Sequence, residues 1–112
     1  MDCDRFDVVI VPFPFTDKVQ AKRRPALVLS RHESFGRKAG HSVMAMIASA
    51  RNPPWPQDTA IADLDAAGLP AASVVRMKLF TLDHRFVLAK CGRLADKDRK
   101  SVAKALAVLL GG

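Results

Sequence analysis

Short apolar runs recur along the chain, each only four to six residues long. They are rich in β-branched and aliphatic residues and are bounded by Gly, Pro or Asn, which is typical of β-strands. Many short strands with irregular spacing favour a small, partly open barrel. We therefore predict a mainly β fold in a single domain over residues 1–112. The predicted strands are residues 8–11, 26–30, 42–47, 59–62, 73–77 and 86–91.

A helical repeat of apolar residues is confined to the C-terminal segment, residues 96–110. Asp96 is the expected N-cap, and Asp98 favours the positive end of the helix dipole. We expect the helix to pack on the sheet; binding to a membrane surface or to a helix-binding partner is the less favoured alternative. Its predicted apolar face is Val102, Ala105, Leu106, Leu109 and Leu110, and its predicted solvent-facing cations are Arg99, Lys100 and Lys104.

The connections between the predicted strands differ in composition. Residues 34–40 are a basic segment that ends in glycine, and we predict a loop. Residues 51–57 (RNPPWPQ) cannot form regular structure, because three prolines remove hydrogen-bond donors and restrict their neighbours. Residues 66–70 (AAGLP) predict a short helical turn closed by glycine. Residues 78–83 (KLFTLD) are expected to bend between two strands.

The polar segment between the first two strands is the first candidate site. It is too long for a tight hairpin turn, and long loops on a rigid strand pair usually carry function or are disordered. Pro25 fixes the backbone at the start of the second strand, so Arg24 is expected at a stiff point suited to phosphate recognition. The candidate RNA- or phosphate-binding residues here are Thr16, Asp17, Lys22, Arg23 and Arg24.

The net charge of +7 and the pI of about 10.0 favour an anionic partner: nucleic acid, an acidic protein segment or a membrane surface. No apolar run approaches the ~20 residues that a membrane-spanning helix needs. The N-terminal sequence MDCDRFD is acidic and polar, so we expect no secretory signal. Cys3 and Cys91 lack metal-ligand spacing, and their number fits a reduced, cytoplasmic protein that holds no metal.

The basic loop supports two kinds of chemistry, binding a phosphodiester or binding and cutting it. Metal-free cleavage of RNA uses the 2′-hydroxyl of the substrate as nucleophile, and the protein must move protons and stabilise the phosphorane. Arginine suits the second task, because its planar fork binds two phosphate oxygens. His32, His41 and His84 could shuttle protons, although a surface position is the default for each. The acidic side chains Asp58, Asp63, Asp65 and Asp83 are expected at solvated turns and strand ends.

Two aromatic segments could stack on bases, as in proteins that bind single strands. In residues 12–15 (PFPF), Phe13 and Phe15 alternate around a proline, so at least one is expected in the core. Trp55, within PPWP, is the better candidate for exposure. A structural tryptophan packed on prolines is an equal alternative.

The order of these segments resembles the PemK/MazF toxins of toxin–antitoxin pairs. The likeness begins with VVIVPFPFTD and KRRPALVLS and continues through VMAMIAS, AGLPAASVVR, KLFTLDHR and LAKCGRLADKD. It implies an SH3-like barrel with a C-terminal helix, of the MazF/CcdB type, that forms a homodimer. It also implies an endoribonuclease without metal or other cofactor, which cuts single-stranded mRNA to 2′,3′-cyclic phosphate and 5′-hydroxyl ends. The implied partner is an antitoxin with an acidic tail.

The resemblance assigns roles to individual residues. Arg24 before Pro25 matches the catalytic arginine of the family. The threonine expected after Ile47 is Ala48 here, so Ser49 is the candidate replacement, although in a regular strand it would point to the other face. Arg76 matches an arginine that clamps phosphate or donates a proton, and Lys78 stands where some relatives have an acid. Three hypotheses follow: a toxin ribonuclease, a catalytically weakened RNA- or antitoxin-binding module, and a CcdB-like gyrase poison.

Overall fold

The computed structural model describes residues 2–13 and 22–112. The strands are β1 (Asp7–Phe13), β2 (Lys22–Val28), β3 (His41–Ser49), β4 (Thr59–Ala60), β5 (Ser73–Asp83) and β6 (Ala89–Arg93). They form one antiparallel sheet in the order β4-β5-β3-β2-β1-β6. The sheet curves into a half-barrel, which confirms the prediction of a mainly β, partly open barrel.

Helical structure connects and covers these strands. A π-helical turn, His32–Gly36, leads into α1 (Arg37–Ala39) between β2 and β3. The helix α2 (Leu64–Ala67) precedes β5, and a 3₁₀ turn, His84–Phe86, follows it. The C-terminal helix α3 (Asp96–Leu110) has the predicted bounds. None of the described helices is long and apolar enough to cross a membrane.

Successive strand residues point to opposite faces of the sheet, and both faces bury apolar side chains. Val8 on β1 belongs to the cluster that α2 and α3 cover, whereas its neighbour Val9 belongs to the second cluster. The first cluster is the larger, with Leu27, Ile47, Val75, Leu94 and Val102 among its members. The second contains Cys3, Val9, Val11, Ala26, Val28, Met44, Leu82 and Val87.

The start of α3 differs from the sequence prediction. The N-cap is Ala95, which offers no side-chain hydrogen bond, and the carboxylate of Asp96 is exposed. Asp98 is 2% exposed, and its two oxygens accept the backbone N–H groups of Ala62 and Asp63, both at 2.9 Å. Because these donors belong to the segment before α2, Asp98 fastens α3 to a distant part of the chain, a role that its helix position alone could not indicate.

The apolar face of α3 is only partly buried. Val102 and Ala105 lie in the core and Leu106 packs against it, as predicted. Leu109 and Leu110 are 44% and 69% exposed, so their predicted burial is wrong. The predicted solvent face is also wrong at Arg99, which is half-buried and whose Nε donates to the carbonyl of Leu94 at 2.6 Å.

Two of the predicted connections and the start of the last strand are corrected. Residues 34–40 are helical rather than a loop, since the π-helical turn and α1 occupy them up to Gly40. Residues 78–83 do not bend between two strands, because β5 continues to Asp83 and stays paired with β3. The irregularity is a register shift between Ala45 and Met46 on the partner strand. The last strand begins at Ala89, after the 3₁₀ turn, rather than at residue 86.

The predicted turn at residues 66–70 is confirmed in its essential feature. The carboxylate of Asp63 accepts the N–H of Ala66 at the start of α2, and Gly68 ends that helix with a φ of 72°. Cys3 and Cys91 do not form a disulfide with each other. Cys3 is buried in the second cluster and Cys91 packs against the first, so the sheet separates them.

Candidate functional site

The strand register brings two of the predicted arginines to the same face of the sheet. Arg24 on β2 lies across from Val11 on β1. Two residues further along β2, Ala26 lies across from Met46 on β3, and Met46 lies across from Arg76 on β5. Because residues at i and i+2 share a face, as do cross-strand partners, Arg24 and Arg76 point to the side of the second apolar cluster.

A pocket of about 270 Å³ lies at this end of the sheet and is here called the basic groove. Arg24 and Lys78 are exposed, whereas Arg76 is half-buried. The wall therefore combines cations with an apolar floor, an arrangement that suits the phosphates and sugars of a nucleic acid. The groove is lined by Phe13, Arg24, Met46, Ile47, Ala48, Asn52, Arg76 and Lys78.

The guanidinium of Arg24 has no hydrogen bond or ion pair with the described residues. Its backbone is part of β2, which begins at Lys22, four residues before the predicted start. The following residue, Pro25, lies across from Ile10 on β1. Arg24 thus lies on a paired strand, as its position before proline predicts. The N–H donors of its guanidinium are available to a ligand.

Arg76, in contrast, is engaged by the protein. Its Nε and Nη2 donate to the two carboxylate oxygens of Asp58 at 3.2 and 2.9 Å, and Nη2 also donates to the carbonyl of Pro53 at 2.9 Å. The Arg76 and Asp58 side chains are 11% and 16% exposed. Their hydrogen bonds lower the pKa of Asp58 and raise the pKa of Arg76. We call this pairing the Asp58–Arg76 clasp.

Asp58 is the residue at this site that sequence reasoning missed, since it was expected at a solvated turn. It directly precedes β4, whose Thr59 lies across from Val75 on β5. This pairing puts the residue before Thr59 beside the residue after Val75, which is Arg76. The register Thr59–Val75, which the sequence does not specify, is what places Asp58 beside Arg76.

The clasp also holds the segment that carries Trp55. The N–H of Trp55 donates to Oδ2 of Asp58 at 2.9 Å, and the N–H of Asp58 donates back to the Trp55 carbonyl at 3.1 Å. The ammonium of Lys78 lies 4.5 Å from the centroid of the indole ring. Residues 51–57 contain no helix or strand, in agreement with the sequence prediction.

The hydroxyl of Ser49 lies on the other face of the sheet. β3 remains regular to its end, with Ala48 across from Val74 and Ser49 across from Ser73. The Oγ of Ser49 accepts the N–H of Arg51 at 3.2 Å. Ser49 lines a second pocket, of about 360 Å³, which touches the basic groove only through shared residues at the strand ends. Those shared residues are Arg24, Ile47 and Ala48.

Only some of the other predicted RNA-binding residues of the basic loop lie in the part of the chain that the structure describes. Lys22 and Arg23 are exposed at the start of β2, across from Phe13 and Pro12. Thr16, Asp17 and Phe15 lie outside the described residues. The part of the loop next to Arg24 is therefore basic and solvent-facing.

The three histidines lie at the opposite end of the sheet from the groove. His41 lies across from Asp83, and Oγ of the fully buried Ser42 is 2.7 Å from Nε2 of His84. The backbone N–H of His32 donates to Asp4. Along β3, His41 is roughly 23 Å from Ala48 at ~3.3 Å per residue, so within one protomer His41 is too far from a substrate at Arg24 to exchange a proton with it directly.

We expect the histidine end of the sheet to make stability depend on pH. Burial is the main cause that lowers the pKa of His84 below 6.5. The unfolded chain therefore binds this proton more readily, and stability is greatest above the unfolded pKa and falls as the pH drops through the folded one. The Asp83 carboxylate nearby, with a pKa of about 2, stays ionised throughout that window.

Urea denaturation between pH 4.5 and 7.5 measures this effect. His84→Gln removes the titrating ring, so its free energy of unfolding should change less over this range than that of the unmodified protein. His41→Gln is the matched control, because His41 is half-exposed and borders the same Asp83. Equal pH dependence in the protein and in His84→Gln would contradict the assignment.

Among residues 2–13 and 22–112, no group of three or more His, Cys, Asp or Glu side chains is arranged to hold a metal ion.

The chain is similar to solved toxin structures over nearly its whole length. MazF from Deinococcus radiodurans superposes with a TM-score of 0.78 at 22% identity, covering 100% of this chain and 99% of that one. A MazE–MazF complex from the same organism gives 0.78 at 22% identity, covering 99% and 98%. An endoribonuclease in complex with its cognate antitoxin, from a mycobacterial species, gives 0.75 at 17% identity, covering 98% and 94%. At these identities the likeness shows the fold. No curated protein sequence matches the chain.

The family is established by the sequence profile. The model that describes the PemK-like, MazF-like toxin of type II toxin–antitoxin systems matches residues 4–110. That range includes both sheet faces, α3 and every residue of the basic groove. The chain therefore belongs to the PemK-like, MazF-like toxin family of type II toxin–antitoxin systems.

Proposed function

We propose that this protein is a metal-independent endoribonuclease that cuts single-stranded mRNA and acts as the toxin of a type II pair in the cytoplasm. The observation that carries the proposal is Arg24. It is an exposed guanidinium, without a partner among the described residues, on the wall of a basic groove. The family to which the chain belongs supports the same activity.

In the proposed reaction, the 2′-hydroxyl of the RNA attacks the adjacent phosphorus. The O2′–P bond forms, the P–O5′ bond breaks, the 2′-hydroxyl loses its proton and the leaving 5′-oxygen gains one. The products are a 2′,3′-cyclic phosphate and a 5′-hydroxyl. Arg24 stabilises the charge that develops on the non-bridging oxygens, since its planar fork can donate two hydrogen bonds to them.

For Arg76 we propose a phosphate contact rather than proton donation. Its hydrogen bonds to described residues use Nε and Nη2, so Nη1 is the group left for a phosphate oxygen. The hydrogen bond with Asp58 raises the pKa of Arg76 above its usual value, which makes the guanidinium a poorer acid.

Ser49 is proposed to contribute the hydroxyl that Ala48 lacks. A regular strand turns it away from the groove, but the pocket that it lines shares Arg24. A phosphate bound to Arg24 at the strand ends would meet Ser49 from that side. Lys22, Arg23 and Lys78, with Thr16 and Asp17 of the loop, are proposed to bind the RNA backbone.

The proposed protein partners follow from charge and family. A net charge of +7 would attract the acidic tail of a cognate antitoxin, which would compete with RNA for the basic groove. Complexes between relatives and their antitoxins support such a partner. We also propose a homodimer, as the resemblance implies.

A cleavage assay in EDTA tests the proposal. We expect purified protein to cut a mixed-sequence single-stranded RNA without added metal. The 3′ ends should resist ligation until the cyclic phosphate is removed, and the 5′ ends should resist it until they are phosphorylated. Intact RNA at high protein concentration would contradict the enzyme.

The alternative is a binding module without activity, which the missing hydroxyl at Ala48 favours. It predicts RNA that is bound but not cut, with an affinity that falls steeply with salt. A CcdB-like gyrase poison would instead leave RNA intact and trap cleaved DNA in a gyrase assay.

A further inference from the structure

An exposed tryptophan stands beside the basic groove. Trp55 is the only tryptophan in the chain and is 42% exposed. Its indole contacts the ammonium of Lys78, and Lys78 lines the groove together with Arg24. The Trp55 ring therefore lies next to the groove, with Lys78 between the ring and the groove.

The position of Trp55 is fixed although its segment has no regular structure. Asp58 accepts the Trp55 N–H and donates its own N–H to the Trp55 carbonyl, so both backbone groups of Trp55 are held. Arg76 on β5 donates hydrogen bonds to the same Asp58 carboxylate and to the Pro53 carbonyl. These bonds attach the segment that carries Trp55 to β5. With its backbone held and its indole against the Lys78 ammonium, the Trp55 side chain has less freedom to lose when it binds a ligand.

We propose that Trp55 is a stacking platform for a nucleobase of the RNA and that Asp58 is the residue that positions it. The proposal rests on the ribonuclease function for the identity of the strand. The occupant we infer is a nucleobase, because the polyanion proposed to bind along Arg24 and Lys78 is RNA, and RNA carries a base next to each phosphate. Stacking on an aromatic ring accepts any base and complements the phosphate contacts.

Because Trp55 is the only tryptophan in the sequence, quenching of the protein's tryptophan fluorescence tests the proposal. The probes are two oligomers of equal length that the enzyme cannot cut: a 2′-O-methyl oligoribonucleotide, and a 2′-O-methyl abasic sugar–phosphate chain with the same number of phosphates. We expect the first to quench Trp55 and the second to quench it little. Equal quenching by both would overturn the proposal, since phosphate alone would then account for the signal.

Two variants separate stacking from charge. Trp55→Ala should weaken binding of the base-carrying oligomer about five- to a hundredfold, the range for one stacked base, and leave binding of the abasic chain unchanged. Trp55→Phe should restore part of the loss, because a smaller ring still stacks. Equal weakening for both oligomers would assign Trp55 a structural role and refute stacking.

Asp58→Asn tests the positioning role. The amide keeps one acceptor but turns an NH2 donor toward Arg76 or Trp55, which weakens the clasp. The change also removes a negative charge, so the abasic chain should bind at least as tightly as before. The base-carrying oligomer should bind less tightly and quench less, because the ring is no longer held. A general loss of fold would weaken both probes, and unchanged discrimination would overturn the role of Asp58.

These measurements do not depend on cleavage. If the EDTA assay shows intact RNA while base-dependent quenching persists, the ribonuclease fails and the stacking site stands. If RNA is cut but the two oligomers quench alike, the enzyme stands and the stacking site fails.

Discussion

Replacing Arg24 by alanine is expected to lower the rate of RNA cleavage about a hundred- to a thousandfold, the usual cost of losing one preorganised donor to a developing oxyanion. The guanidinium is exposed and forms no hydrogen bond or ion pair with the described residues, so the change removes no such interaction from that part of the chain. Cleavage of a labelled RNA under single-turnover conditions measures the rate.

The controls for Arg24 separate chemistry from charge. Arg37→Ala removes the same charge from an exposed residue on α1, which pairs only weakly with Glu33 and lies away from the groove. It should cut RNA at close to the original rate. Arg24→Lys keeps the charge but loses the planar fork, so an intermediate rate is expected. A rate in Arg24→Ala equal to that of Arg37→Ala would refute the assignment.

Replacing Gly68 by alanine is expected to reduce the free energy of unfolding by about 3 kcal/mol or more, a large part of the stability of a small domain. Gly68 has a φ of 72°, where L side chains are rare. A Cβ there would lie 2.2 Å from the carbonyl oxygen of Cys91 and 2.7 Å from its carbonyl carbon. Since both atoms are backbone of β6, either α2 or that strand must move.

Gly40→Ala is the matched control for Gly68→Ala. Gly40 has a φ of 67°, but no atom lies within 4 Å of a Cβ built there. This change carries only the backbone cost, about 1 kcal/mol. Urea denaturation of both variants gives the difference, which isolates the clash with Cys91. Equal losses in the two variants would contradict the close approach of Gly68 to β6.

The sequence was sufficient for the local features of the fold. The apolar runs and the helical repeat predicted a mainly β chain with a C-terminal helix, and α3 has the predicted bounds. The prolines excluded regular structure from residues 51–57, and the glycine after Ala67 predicted a closed turn. These features depend on backbone sterics and on periodicity within one segment, which neighbouring residues fix.

Predictions that needed contacts across the fold were less successful. The predicted burial of Leu109 and Leu110 was wrong, because the apolar face of a helix is buried only as far as another element covers it. The bend expected in residues 78–83 was absent, because pairing with β3 holds β5 extended to Asp83. Local composition carries no information about which strand lies alongside.

The candidate site divides in the same way. By itself the sequence determined that the chain is basic, that Arg24 precedes a proline at the start of a strand and that Ala48 stands where a hydroxyl was expected. Tertiary structure alone decided that Arg24 and Arg76 share one groove, that Ser49 faces the neighbouring pocket and that Asp58 holds Arg76. The physical reason is register: the pairing of strands distant in sequence decides which side chains share a face, and a pattern within one strand cannot specify its partner.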